Sequence, residues 1–413
     1  MVPLPPGTVV LQVLPRLDAG GVERGTVEMA QAIAEAGGTA LVASEGGRLV
    51  GAVERAGGRH VAMPLAAKNP AVIWRNAGRL AQLIRAEQVG IVHARSRAPA
   101  WSAWLAARRT GARFVTTYHG VYNENLPGKR RYNAVMARGE RVIAISRHVA
   151  GVLMARHGVA PVRIRIIPRG VDPALFDPGA VSSPRIARLA QAWRLPDGVP
   201  TVMLPARLTR WKGAAVLIEA MALMQQRDVC CILVGAGRDG FLRALERQAA
   251  TLGVAERLRF AGHCDDMPAA LMLADVVVSA SLEPEGFGRT VIEAQAMGRP
   301  VVVTDHGGAA ETVEHLVTGW RIPPGDAAAL AAALEHALQL LLEDRQALGE
   351  RARAAVCANY TTAAMQAATL EVYREVLASS PSPSGRGLGC GKDPARRPAW
   401  SRALAVMDSG CHR

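Results

Sequence analysis

The sequence predicts an α/β protein built from two Rossmann-like halves, and three observations carry that prediction. From Thr8 to about Ile167, short β-branched runs alternate with amphipathic helical patterns. A Pro- and Asp-rich stretch, Pro168 to Pro184, then breaks the periodicity as a linker does. The same alternation restarts at Val202. This rhythm builds a parallel sheet with helices on both faces, once in each half.

The strands expected in the first half are Val9 to Leu14, Ala40 to Ser44, His60 to Met63, Ile91 to Ala94, Phe114 to Thr117, Val142 to Ile145 and Arg163 to Ile167. In the second half they are Val202 to Leu204, Cys230 to Val234, Leu258 to Ala261, Val276 to Ser279 and Val301 to Thr304. Beyond Asp326 the chain reads as helical, Ala-rich from Ala327 to Leu342 and amphipathic again from Thr362 to Leu377. Residues 380–413 have low-complexity composition without periodicity and are expected to be disordered.

At 413 residues and 50% hydrophobic, the chain is long enough for two cores and is not disordered as a whole. No run reaches the roughly 18 apolar residues of a membrane span, and the N-terminus lacks the pattern of a signal peptide. The expected location is the cytoplasm. Six cysteines show neither metal-ligand spacing nor a regular framework, so reduced thiols are expected. The net charge of +14 sits mainly in the first half, where residues 1–184 hold 24 Lys and Arg against 11 acids. An Arg-rich proteome accounts for such an excess; so does an anionic substrate, a membrane surface rich in anionic lipid, or nucleic acid. Nucleic-acid binding calls for aromatic platforms or a recognised module, and only 4% of residues are aromatic, so no nucleic-acid partner is expected.

The most informative stretch is Glu283 to Pro300, which places Glu285 and Glu293 on either side of Gly286-Phe287-Gly288. A strand precedes it and a helical pattern from Thr290 to Met297 follows, so the turn lies where open α/β sheets bind ligands. Glu293, in the first turns of that helix, can accept hydrogen bonds from two vicinal ribose hydroxyls. Glu285 and the backbone N–H groups of Phe287 and Gly288 are positioned to face a transferred sugar, with Thr290 beside them. The alternative for two glutamates here is a solvated helix face.

Earlier in the same half, Arg207 and Lys212 flank a short loop that opens a helix. Both cations can converge on one diphosphate, Arg as a fork and Lys as a point charge. In the first half, Gly20-Gly21 follows a strand and precedes a helix, where backbone N–H groups approach an anion closely. His119 follows the strand ending at Thr117, placed to bond a sugar hydroxyl or to shuttle a proton. Gly235-Ala-Gly-Arg-Asp-Gly240 formally matches the dinucleotide fingerprint Gly-x-Gly-x-x-Gly, yet it sits on the second strand of its half, whereas that fingerprint opens a Rossmann domain on the first. It remains either a nucleotide-contacting turn or a purely structural one.

Taken together, Gly20-Gly21-Val22-Glu23, Arg207-x4-Lys212-Gly213 and Glu285-x7-Glu293 resemble, in order and separation, the motifs of retaining glycosyltransferases of family 4, the glycosyl transferases group 1. The resemblance covers roughly residues 8 to 377. It implies a GT-B architecture: two Rossmann-like α/β/α domains facing a cleft, residues 1–184 for the acceptor and 185–360 for the nucleotide-sugar donor, with a C-terminal helix, residues 361–379, crossing back to the first. In that scheme Arg207 and Lys212 neutralise the diphosphate, Gly20-Gly21 supports it, Glu293 holds ribose, Glu285 holds the sugar, and His119 faces the sugar. The implied reaction moves a hexose from a nucleotide-diphosphate sugar, expected to be a UDP-sugar, to a saccharide or lipid-linked acceptor, with no metal or other cofactor. Lipopolysaccharide or another envelope glycan is the expected product, made by an enzyme at the inner face of the cytoplasmic membrane, in peripheral contact with anionic lipid. A nucleotide-sugar 2-epimerase of the same fold is the alternative. One departure is Arg169, where the Ile-Pro-Asn-Gly-Val-Asp form of the family has Asn; it either reshapes the turn or adds a cation.

Overall fold

In the computed structural model, which describes residues 2–18 and 20–379, each β-branched run named above overlaps a strand. The first sheet comprises β1 (Val9–Val13), β2 (Thr39–Ser44), β3 (Gly58–Ala62), β4 (Ile91–Ala94), β5 (Arg113–Tyr118), β6 (Arg141–Ala144) and β7 (Ile164–Ile166). Its order is β3-β2-β1-β4-β5-β6-β7, parallel throughout. The second comprises β8 (Thr201–Pro205), β9 (Cys230–Val234), β10 (Leu258–Gly262), β11 (Val276–Ser279), β12 (Val301–Thr304) and β13 (Trp320–Ile322), in the order β10-β9-β8-β11-β12-β13 and again parallel. β13 was not foreseen: it is three residues long with a central Arg321, too short to show a period. Each sheet therefore reverses its direction of growth once, between β1 and β4 in the first and between β8 and β11 in the second.

The chain divides into two compact units, Met1–Ile167 with the chain from Met365, and Pro168–Ala364. These limits differ from the expected ones at residues 184 and 360. The reason is packing: the Pro-rich stretch is built into the second unit. Val171 bridges Thr361, Phe176 is buried, and the Phe176 carbonyl accepts a hydrogen bond from Arg353 Nη1 at 2.8 Å. The expectation of a disordered tail at 380–413 lies outside the described residues.

In the first unit the core runs through β1, β2 and the helix Gly21–Glu35, and it is closed by the helix Thr362–Ala378. Leu370, Val372, Tyr373 and Val376 of that helix join Val10, Leu14, Met29 and Ile33 in one apolar cluster. A buried polar chain reinforces the join. His93 Nδ1 lies 2.7 Å from the Tyr373 hydroxyl, and its Nε2 lies 2.7 Å from Thr117 Oγ1, on the strand that leads to His119. At the far end of the sheet Glu375 receives Arg141 Nε at 2.8 Å and Arg165 Nε at 3.0 Å. Burial pushes the Glu375 carboxyl up, but the two guanidinium groups outweigh it and hold it below its ordinary 4.5. Because the folded value lies below the unfolded one, the stabilisation is complete above about pH 4.5 and fades as pH falls through the folded value. Glu375→Gln should accordingly lower the melting temperature at neutral pH, with the gap to wild type closing on acidification. A gap that stays constant between pH 7 and pH 3 would show that the charge contributes nothing.

The second core is made by β8, β9, β11 and the helices Ala214–Leu223 and Ala327–Gln339. Cys230 and Cys231 are buried free thiols in β9, and burial pushes both thiol pKa values up. Among the described residues no helix is long and apolar enough to cross a membrane.

Candidate functional site

Loops at the carboxyl ends of neighbouring strands diverge only where a sheet reverses its growth, and that opening is where a ligand fits. In the second unit the loops after β8 and β11 flank this point and are stitched together. The Leu282 amide donates to the Trp211 carbonyl at 2.7 Å. Gly213 has φ +74°, and a Cβ there would lie 1.8 Å from the Ala280 carbonyl oxygen. Only glycine permits that approach.

The stitching delivers Lys212 from one loop to Glu285 of the other. Lys212 Nζ lies 2.7 Å from Glu285 Oε1, with the two side chains 18% and 12% exposed. The same oxygen receives the Ser281 hydroxyl, and the Ser279 hydroxyl at 3.4 Å. Three donors thus crowd one carboxylate oxygen, and none of the three engages Oε2. The ammonium also lies 4.3 Å from the centre of the Trp211 ring, so this cation is steered by an indole as well as a carboxylate.

The Gly-Phe-Gly turn has a split character. The Phe287 ring is buried, edge-on to Tyr360 with centroids 5.7 Å apart, while the amides of Phe287 and Gly288 donate to no acceptor among the described residues. Gly288 has φ +83° and caps the helix Arg289–Ala296. A second glycine pair supports the turn from behind: the Gly308 amide donates to the Glu285 carbonyl at 2.8 Å, and a Cβ on Gly308 would lie 2.2 Å from the Gly286 oxygen. Thr290 is half-buried at the second position of the helix. Glu293 is 5% exposed and pairs with Arg289 Nε at 3.2 Å. Neither glutamate is a solvated surface carboxylate.

Arg207 is exposed, and its loop is held by the glycine-rich segment after β9. The Ala206 amide donates to Val234 at 2.9 Å, the Leu208 amide to Ala236 at 2.8 Å, and Leu208 bridges Gly237. Gly235, at φ +146°, would place a Cβ 2.0 Å from the Ala206 oxygen. The first two glycines of the Gly-x-Gly-x-x-Gly spacing, Gly235 and Gly237, therefore serve a close backbone approach that positions the loop of Arg207.

In the first unit, Gly20 and Gly21 follow β1 at that sheet's own reversal point. Gly20 caps the helix Gly21–Glu35 with φ +138°, and a Cβ there would lie 2.6 Å from Glu23 Oε2, because that carboxylate folds back over the helix start. His119 follows β5 and is half-buried. Beside it the Tyr118 and Tyr122 rings meet at a 43° tilt with centroids 4.4 Å apart, and the Arg97 guanidinium lies 4.2 Å above the Tyr122 ring. Burial pushes the Tyr122 phenol up to about 12, against the pull of Arg97. Arg169, the departure from the family form, is a buried residue of the second unit, 6% exposed.

Sequence reasoning missed Ser279, Ser281, Gly307-Gly308 and His306, whose Nε2 donates to the Ser281 carbonyl at 2.7 Å. One signal was available. Gly307-Gly308 follows a strand and opens a short helix, repeating the pattern of Gly20-Gly21.

Residues 186–355 match the family described as Glycosyl transferases group 1, and residues 19–175 match Glycosyltransferase Family 4. A D-inositol 3-phosphate glycosyltransferase of Salinispora arenicola is 33% identical over 67% of this chain and 66% of its own length, so the match spans slightly less than two thirds of that relative. A GDP-mannose-dependent alpha-(1-6)-phosphatidylinositol monomannoside mannosyltransferase of Mycolicibacterium smegmatis is 32% identical over 66% of this chain and 72% of its own. The crystal structure of a glycosyltransferase from Rickettsia africae superposes with a TM-score of 0.83 at 37% identity, covering 90% of this chain and 99% of that one.

Proposed function

The chain belongs to glycosyltransferase family 4, with the two-domain GT-B fold, and from that premise we propose that it is a retaining, metal-independent hexosyltransferase that uses a nucleotide-diphosphate sugar. The observation that carries this reading is the Lys212–Glu285 pair at the reversal point of the second sheet. On donor binding, Lys212 turns its charge to the diphosphate together with Arg207, and the released Glu285 carboxylate accepts hydrogen bonds from hydroxyls of the hexose. The amides of Phe287 and Gly288 add donors, while Glu293 exchanges Arg289 for ribose hydroxyls. The remaining parts of the proposal are His119 facing the sugar and Gly20-Gly21 supporting the diphosphate.

In the proposed step the bond between the anomeric carbon and the phosphate oxygen breaks, and a bond to the acceptor oxygen forms on the same face. The acceptor's proton passes to the departing phosphate. Cations fixed on the leaving diphosphate act where charge develops, and in a site closed to water such stabilisation is worth kilocalories. We place the acceptor among saccharides or glycolipids of an envelope glycan, with lipopolysaccharide as the leading case, and the enzyme at the inner face of the cytoplasmic membrane.

Calorimetry in EDTA with UDP-, GDP- and ADP-hexoses tests the donor side. Binding of one member of the panel without added metal is expected, with UDP-sugar the first choice and GDP-mannose, named for the mycobacterial relative, the second. Complete loss of binding in EDTA would refute the metal-independent part. Product analysis separates transfer from 2-epimerisation, which releases a sugar with no acceptor present.

A further inference from the structure

Residues 121–128, which follow His119, form neither helix nor strand, and polar side chains from three helices fasten this strap to the first unit. Arg97 Nη1, at the head of the helix Arg97–Thr110, donates to Asn133 Oδ1 at 3.0 Å, and Asn133 Nδ2 donates in turn to Glu124 Oε1 and to the Asn123 carbonyl, each at 3.4 Å. Arg156 Nη1 donates to the Tyr122 carbonyl at 3.4 Å. The third fastening is His157, the last residue of the helix Arg147–His157, with a side chain 2% exposed. Its Nε2 lies 3.0 Å from the Tyr118 hydroxyl and 3.7 Å from Glu124 Oε1. One partner is the residue next to His119, and the other belongs to the strap.

Burial pushes the Tyr118 phenol up, so it stays a hydroxyl. That hydroxyl donates to Nε2 only while Nε2 carries no proton. Once protonated, Nε2 is a donor and the Glu124 carboxylate competes for it. The two protonation states of one imidazole thus engage different partners. Burial disfavours the imidazolium, Glu124 favours it as does the carboxyl end of its helix, and Arg130 and Arg156 oppose it. The balance holds the imidazole below its ordinary 6.5. Arg97 is taken up by Asn133 and by the Tyr122 ring.

We propose that His157 is a positioning residue: its neutral imidazole, through Tyr118, holds His119 and the strap in the working arrangement, and protonation releases them. The consequence for turnover rests on the reading that His119 faces the transferred sugar. Opening the strap returns His157 to water and to its ordinary pKa. Because the closed value lies lower, closure is complete above about pH 6.5 and weakens as pH falls through the closed value.

The first test needs no substrate. In the full chain with isotope-labelled histidine rings, the resonance lost in His157→Gln should titrate below pH 6.5, and the His119 resonance should show a step at that same midpoint. The step should vanish in His157→Gln, whose side-chain oxygen accepts from Tyr118 without titrating, and in Tyr118→Phe. The second test follows hydrolysis of the nucleotide hexose selected by the calorimetric panel. The kcat of His157→Gln relative to wild type should rise by more than about threefold between about pH 7.5 and about pH 5.5, with donor KM unchanged. His157→Ala should be the poorer variant throughout, and equal melting of wild type and His157→Gln shows that the comparison is between folded proteins. A His157 midpoint at or above pH 6.5, a His119 resonance blind to it, or a flat kcat ratio would each overturn the proposal. Wild-type turnover by His119→Ala would instead sink the reading of His119, and the resonances would still decide whether His157 holds it.

Discussion

Glu285→Ala and Lys212→Ala are each expected to lower kcat/KM by roughly a hundred- to a thousandfold, the loss seen when one fixed group is removed from a developing charge. Both side chains are largely enclosed, and each is the other's ion partner at 2.7 Å. Removing Lys212 leaves the Glu285 carboxylate with the Ser281 and Ser279 hydroxyls alone, so its orientation suffers along with the lost cation. The double variant should therefore be little worse than the poorer single one, because the two residues act as a unit. Steady-state kinetics on the two singles and the double measure this directly. Near-wild-type transfer by either single variant would remove the pair from the site, and strictly multiplicative losses would show two independent groups.

Gly213→Ala is expected to cost about 3 kcal/mol of stability, from a left-handed backbone that an L side chain resists and from overlap with the neighbouring loop. The methyl would meet the Ala280 oxygen at 1.8 Å, far inside contact distance, so the loops after β8 and β11 must part. At roughly 2–4 °C per kcal/mol, melting of this unit should fall by about 6–12 °C. Activity should fall even where the variant is folded, since Lys212 is the preceding residue. Gly240→Ala is the matched control: no atom lies within 4 Å of its Cβ position, so wild-type melting is expected there. A Gly213 variant as stable and active as that control would refute the close approach.

The strands of both sheets, β13 apart, were legible because a parallel sheet buried on both faces demands unbroken β-branched runs, which Val276 to Ser279 and Val301 to Thr304 display, whereas the strand orders and their reversal points came only with the structure. Glu285 and Lys212 were legible as candidates for the same reason: each follows such a run. Their pairing was not, because an ion pair between residues 73 positions apart depends on which strands become neighbours. Ser281 and His306 escaped for a related reason. A lone serine or histidine has no periodicity, and each acquires its role only when β11 and β12 lie side by side. The expected boundary at 184 failed because a Pro-rich segment looks like a linker whether or not it is packed; Phe176, buried inside it, was the residue that argued otherwise.

The helix Thr362–Ala378 lies at the end of the described chain yet supplies Leu370, Tyr373 and Val376 to the core of the first unit. Synthesis runs from the N-terminus, so the ribosome releases the domain made first in an unfinished condition, with the apolar faces of β1 and the helix Gly21–Glu35 still open. The second unit, contiguous from Pro168 to Ala364, can complete its own core earlier. Order of manufacture and order of completion are thus reversed, and the N-terminal domain is the one whose core waits for the helix Thr362–Ala378.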